Sequence, residues 1–261
     1  MFEYLFMQKA LVAGLAIAIS AALLGTSLVL RRNSMIGDGL SHVSFGAMAI
    51  AVALGLAPLA VAIPVAILTS ILLLSLGEKH KVGGDSAIAI ISAVSLATGV
   101  VAVSLSGTNI DINSYMFGSI LAISNENLIL SLTLLAVVIA FFIKFYQKIF
   151  ALTFDETFAQ AIGIKVKALN IAFAALSSVV IVLGMKLLGV LLISSLIVFP
   201  NISAKYLAKS FRGLTILSVC FAAVAFILGL ALSYSLNIPT GASVVLVNFV
   251  IFLFAKLIAK N

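Results

Sequence analysis

The chain has 261 residues, of which 64% are hydrophobic and only 9% charged, with a mean hydropathy of +1.34. Soluble domains carry roughly 25% charged residues, so there is too little polar surface here to coat a water-soluble globule. The formal charge of +7 then reads as basic cytoplasmic loops of a membrane protein, not as a nucleic-acid footprint.

Apolar segments fall at 10–30, 35–55, 57–76, 86–106, 127–146, 168–185, 187–204, 214–236 and 240–258. Most have the roughly 17–25 residues that a spanning helix needs. The expected fold is all-α, a polytopic transmembrane bundle of about nine spans forming a single transmembrane domain over 1–261, with no soluble domain. Met1-Phe2-Glu3-Tyr4 places an acid where a signal peptide wants basic residues, so the first run is expected to be a retained helix. Only Gly184, Met185 and Lys186 separate the sixth and seventh segments, which leaves eight spans as the alternative. The basic residues arbitrate. With nine spans and the N-terminus outside, Arg31, Arg32, Lys79, Lys81, Lys144, Lys148, Lys165, Lys167, Lys205, Lys209, Arg212, Lys256 and Lys260 are cytoplasmic. Only Lys9 and Lys186 of the 15 basic residues are then left outside, as the positive-inside rule prefers. The C-terminus is accordingly cytoplasmic, and the location is a cell membrane.

The N-terminal half holds the one polar pair within a span. In Gly37-Asp38-Gly39-Leu40-Ser41-His42, Asp38 and His42 stand four apart and so share a helix face. If the span starts near Ser34, His42 lies about 12 Å in, where ionisable groups are costly and line pathways or pair with each other. Carboxylate and imidazole suit zinc, manganese or iron. Two ligands from one helix make an incomplete site, as a transported ion requires. The plainer alternative is a self-satisfied pair with Asp38 helping to cap its helix. Further along, Gly46, Ala49 and Ala53 form a small-residue stripe that meets protein. Pro64 and Pro200, inside spans, should sit beside protein or water. His80, in Glu78-Lys79-His80-Lys81, reads as a solvated loop residue. The outward segment 107–126 has a centre, Tyr115 to Ile123, suited to a short interfacial or re-entrant helix.

The longest cytoplasmic interruption, 147–167, contains Thr153-Phe154-Asp155-Glu156-Thr157-Phe158-Ala159-Gln160-Ala161-Ile162-Gly163. Thr153 with Glu156 is a capping-box pattern and Gly163 a natural stop, so 153–163 is expected to be a short helix. Phe154, Phe158 and Ile162 recur at intervals of four. Such a face either rests on the membrane surface or docks in a groove of a cytoplasmic partner. Cys220, the lone cysteine, lies in an apolar run and reads as a small buried hydrophobe; it permits no intrachain disulfide. The chain has no P-loop, no His-Glu-x-x-His and no Gly-x-Ser-x-Gly, so it is not expected to be an enzyme or to bind ATP by itself.

Arg31-Arg32 followed by Met35-Ile36-Gly37-Asp38-Gly39-Leu40-Ser41-His42 resembles the zinc/manganese permease family of ABC transporters. So do the run from Met185 to Pro200, Pro239-Thr240-Gly241-Ala242-Ser243, and Tyr115-Met116-Phe117-Gly118. Two places depart from the family's pattern. Asn237 stands where an acid often precedes the Pro-x-Gly turn, and Asn201-Ile202-Ser203-Ala204 replaces the common Ala-Ala-Thr-Ala. The resemblance implies a homodimeric membrane subunit, a separate cytoplasmic ABC ATPase and an extracytoplasmic metal-binding protein. It implies a transported divalent ion, with a lean to zinc over manganese or iron, and no prosthetic group. It places Asp38 and His42 on the metal path and segment 153–163 at the coupling helix, with Asp155, Glu156, Phe158 and Gly163 at the ATPase contact. The competing expectation is a stand-alone, proton-coupled carrier using the same Asp–His pair; a structural subunit without transport is a third.

Overall fold

The computed structural model describes residues 4–76, 84–106 and 123–259, and these form α-helices with no strand among them. In chain order they are α1 (Leu5–Leu30), α2 (Met35–Ala53), α3 (Pro58–Leu76), α4 (Gly84–Ser106), α5 (Asn125–Phe154), α6 (Glu156–Ala161), α7 (Val166–Leu188), α8 (Val190–Leu207), α9 (Phe211–Leu236) and α10 (Thr240–Ala259). All but the six-residue α6 are long apolar rods. In lipid every backbone N–H and C=O must be satisfied within the segment, which a helix does. Among the described residues eight of the long helices are long and apolar enough to cross a membrane and α3 is a shorter apolar one, each at the place of an expected span, with α5 continuing about two turns beyond its apolar stretch. His80 and Tyr115 lie outside the described residues, as does nearly all of the expected outward helix.

The turns show how the chain reverses. After α2, Gly55 takes φ +68°, and Leu56 and Gly55 donate to the carbonyls of Ala51 and Val52 at 2.8 and 3.0 Å. That is a Schellman closure, which needs a left-handed residue and favours glycine. The same closure ends α1, but with Arg32 at φ 61° and Asn33 donating to Leu28 at 2.8 Å. An arginine held there is uncommon, so the Arg31-Arg32 turn is fixed by its surroundings.

Small residues set the packing. α1 is enclosed by α5, α7, α8 and α9. A Cβ on its Gly14 would fall on the ring of Phe226 in α9, and one on Gly25 would fall on Asn201 and the Ile197 carbonyl in α8. Asn201, fully buried, accepts from the Thr26 hydroxyl at 2.9 Å and donates to the Ala22 and Ile197 carbonyls at 3.1 and 2.8 Å. Its amide therefore ties α8 to α1 with no unpaired donor, the condition for burying it. The expected small-residue stripe of α2 also meets protein. A Cβ on Gly46 would land on the carbonyl of Ser95 in α4, and one on Gly99 on the Gly46 backbone.

The turn between α7 and α8 is deep. Gly189 is buried and adopts φ 93°, ψ 157°, a conformation open in practice to glycine alone. Ile17, near the middle of α1, lies beside both Gly184 and Ile193. The reversal thus occurs within the bundle, where irregular backbone is tolerated because protein surrounds it.

Two expectations change. The break between the sixth and seventh spans falls at Gly189 and not at 184–186, so Lys186 sits in the last turn of α7, half-buried, donating to Asn127 Oδ1 at 3.3 Å. Its flexible stem carries the ammonium away from the apolar interior. Cys220 is exposed on the chain's surface. Pro200 is buried as expected, and Pro64, inside α3, is exposed on the single chain. Cys220 departs from expectation because a spanning helix is apolar on all sides, so hydrophobic neighbours do not distinguish an outward position from a core one.

Candidate metal path and the segment joined to it

Asp38 lies in the first turn of α2 and His42 one turn on. Their nearest atoms, Asp38 Oδ2 and His42 Nε2, are 3.8 Å apart, with side chains 48% and 27% exposed. That is too long for a hydrogen bond. A single ion at bond lengths of about 2.0–2.2 Å to each can bridge it. His42 Nδ1 is buried with no partner among the described residues, so only Nε2 faces the carboxylate. The two side chains stand within ion-pair range of each other without a hydrogen bond between them.

The second helix at this place is α8. Ser194 donates its hydroxyl to Asp38 Oδ1 at 3.1 Å, and Ser41 Oγ lies 3.4 Å from Ser194 Oγ. Ile197 packs on Gly37, which brings α8 close enough for that contact. Sequence reasoning did not single out Ser194. A polar pair, Ser194-Ser195, inside an apolar run was the available signal. Among the described residues no group of three or more His, Cys, Asp or Glu converges.

The interruption after α5 is built differently from the capping box. Asp155, extended at φ −152° and ψ 104°, breaks the helix and caps α6, accepting from the Phe158 N–H at 2.8 Å. Thr153 still belongs to α5. Its hydroxyl donates to Ile149 O at 2.7 Å and meets Ser27 Oγ at 2.7 Å. Asp155, two residues on, takes the cap because its carboxylate reaches the free amides. Gly163, at φ +83°, ends the segment as expected, with Ile164 donating back to Ala159 at 3.0 Å. Ala159 is fully buried against Leu152, Val166 and Leu169. Phe158 and Ile162 point outward, 55% and 54% exposed. Phe154 is exposed as well, but it belongs to the end of α5, where its ring lies against Phe150 and Phe211.

Glu156 turns inward. Its Oε2 accepts from Arg31 at 3.0 Å and its Oε1 from Asn170 Nδ2 at 3.3 Å, while Arg31 also donates to Asn170 Oδ1 at 2.9 Å. These three side chains lock α6 to the end of α1 and the start of α7. The Arg31-Arg32 turn leads directly into α2, so the locked corner is continuous with the helix carrying Asp38.

A bundle of apolar spanning helices, with an ionisable pair facing a neighbouring span and a small exposed helix at one end, defines the membrane-spanning part of a transport system. The chain belongs to the ABC 3 transport family, whose pattern matches residues 3–259. It is 31% identical over 259 residues to the manganese import system permease protein ScaB of Streptococcus parasanguinis, covering 99% of this chain and 92% of that one. It is 28% identical over 259 residues to the manganese transport system membrane protein MntC of Listeria monocytogenes, again 99% and 92% of the two chains. Among solved structures, PsaBC from Streptococcus pneumoniae in complex with Fab superposes with a TM-score of 0.87 at 29% identity, over 97% of this chain and 91% of that one. The chain is a multi-pass membrane permease of this family.

Proposed function

We propose that this chain is the translocation subunit of an ATP-driven importer of divalent metal ions, working as a homodimer with two copies of a cytoplasmic ATPase and an extracytoplasmic metal-binding protein. The observation that carries the ion path is the open pair formed by Asp38 and His42, 3.8 Å apart. Two donors hold an ion loosely enough to release it, where a closed four-ligand cage would not. The end of the bundle bearing Arg31, Arg32, Lys148, Lys165, Lys205 and Arg212 is the cytoplasmic one by the positive-inside rule. Both termini follow from that: N-terminus outside, C-terminus cytoplasmic.

The sequence leaned to zinc, but manganese is the better-supported cargo. The Asp38 carboxylate is an oxygen donor, which suits manganese, and the one nitrogen donor is His42. The names of the two manganese-system relatives point the same way.

Coupling runs through the locked corner. The exposed Phe158 and Ile162, with the Asp155 cap and Gly163 stop that shape their helix, meet the ATPase. Glu156 passes the displacement inward to Arg31 and the turn ahead of α2. Segment 153–163 thereby acts as the coupling element, with α6 as its helical part. The test is metal accumulation in cells lacking their own importer, expressing this chain with its ATPase and binding protein. Manganese should accumulate, and Asp38→Ala or His42→Ala should abolish it with the complex still assembled. Normal uptake by either variant defeats the site, and accumulation without the ATPase defeats the ATP-driven reading.

A further inference from the structure

The ends of α5 and α7 leave a groove of about 470 Å³ between them, bounded by the turn after α6. Its lining changes character with depth. Lys148 and Lys165 stand at the rim, whereas Phe141, Phe145 and Ala172 line it further in. Phe141 is two turns deeper than Lys148 in α5, about 10 Å along the helix axis. Ala172 is set back comparably from Lys165 in α7. A second depression shares Lys165 and adds Lys167, beside the exposed Ile171. The ammonium group of Lys148 lies 5.5 Å from the centre of the Phe145 ring, which also has Lys144 at 5.7 Å. Among the described residues no acidic side chain lines either depression, and in the short helix nearby Glu156 is engaged by Arg31 and Asn170 while Asp155 accepts from the Phe158 N–H.

We propose that this groove binds an anionic phospholipid, its headgroup phosphate between Lys148 and Lys165 and an acyl chain along Phe145, Phe141 and Ala172. A soluble anion uses the charged rim only. A lipid uses both the rim and the apolar floor, and in a spanning protein the floor runs along the membrane normal as an acyl chain does. Each lysine near an anionic headgroup contributes on the order of 1 kcal/mol, and the floor adds burial of hydrocarbon. The inference rests on the chain spanning a membrane, not on which ion it carries.

The test is native mass spectrometry of the full chain in detergent, titrated with phosphatidylglycerol or phosphatidylcholine. Phosphatidylglycerol should be retained preferentially. The Lys148→Gln/Lys165→Gln double variant should lower its apparent affinity about thirtyfold, and Lys205→Gln/Lys209→Gln, a basic pair elsewhere in the chain, should change it little. Ala168→Trp, which keeps every lysine but fills the groove, should also lose the lipid. Equal retention of phosphatidylcholine, equal loss in the Lys205/Lys209 variant, or unchanged binding by Ala168→Trp overturns the site. Displacement by glycerol phosphate as effective as by the lipid would make the occupant a free anion and defeat the proposal as well.

Discussion

Arg31, the residue that closes α1, donates to Glu156 at 3.0 Å across 125 positions of sequence, with side chains only 14% and 31% exposed. The pair is not an ornament of the surface. Asn170 bonds to both members, so three helices meet at one charged, largely enclosed corner. Removing one member leaves the other charge short of partners, which costs more than the pair itself contributes.

A double-mutant cycle tests this corner. Arg31→Gln and Glu156→Gln should each lower stability by about 1.5–3 kcal/mol, the range for hydrogen bonds to charged groups. Combined, they should cost clearly less than the sum. Thermal unfolding of the purified chain in detergent reads both quantities, and strict additivity would show that the two residues act independently.

Ser194 should matter to the ion through Asp38. Its hydroxyl fixes one carboxylate oxygen at 3.1 Å and leaves the other facing His42. Groups that orient a metal ligand typically carry 10–100-fold in affinity. Ser194→Ala should therefore raise the manganese concentration needed for half-maximal uptake by about tenfold, with transport retained. Asp38→Asn should instead remove transport. Uptake curves over a range of free manganese separate the two.

Phe158 offers a change that spares the fold. It is 55% exposed, and exposed substitutions usually shift stability by less than about 0.5 kcal/mol. Phe158→Asp should leave the melting temperature near that of the parent chain but weaken capture of the ATPase and abolish uptake. Undiminished ATPase capture and uptake would move the contact away from α6.

The α2–α4 contact should tolerate no side chain at Gly46. A methyl group there meets the Ser95 carbonyl, which belongs to backbone and cannot rotate aside. Gly46→Ala should cost about 1–3 kcal/mol by overpacking, and Gly46→Val more. The fraction of protein that stays monodisperse after heating in detergent measures the loss. Because α2 also carries Asp38, uptake should fall with it.

Much of this molecule is legible in one dimension. The apolar runs specify the long helices, because hydrocarbon forces each span to satisfy its own backbone. Asp38 and His42 stand out for the same reason, since charge inside a span is costly enough to be rare. Gly163 marks a helix end through its backbone freedom alone. The tertiary structure decided the rest. It supplied Ser194 to Asp38 and turned Glu156 inward to Arg31. It moved the α6 cap from Thr153 to Asp155 and drew the Gly189 turn into the interior. Cys220 was misplaced because an apolar run looks alike whether it faces outward or towards the core. Hydropathy records transfer out of water, whereas the choice of neighbour depends on shape and on hydrogen-bond partners that arrive from distant parts of the chain.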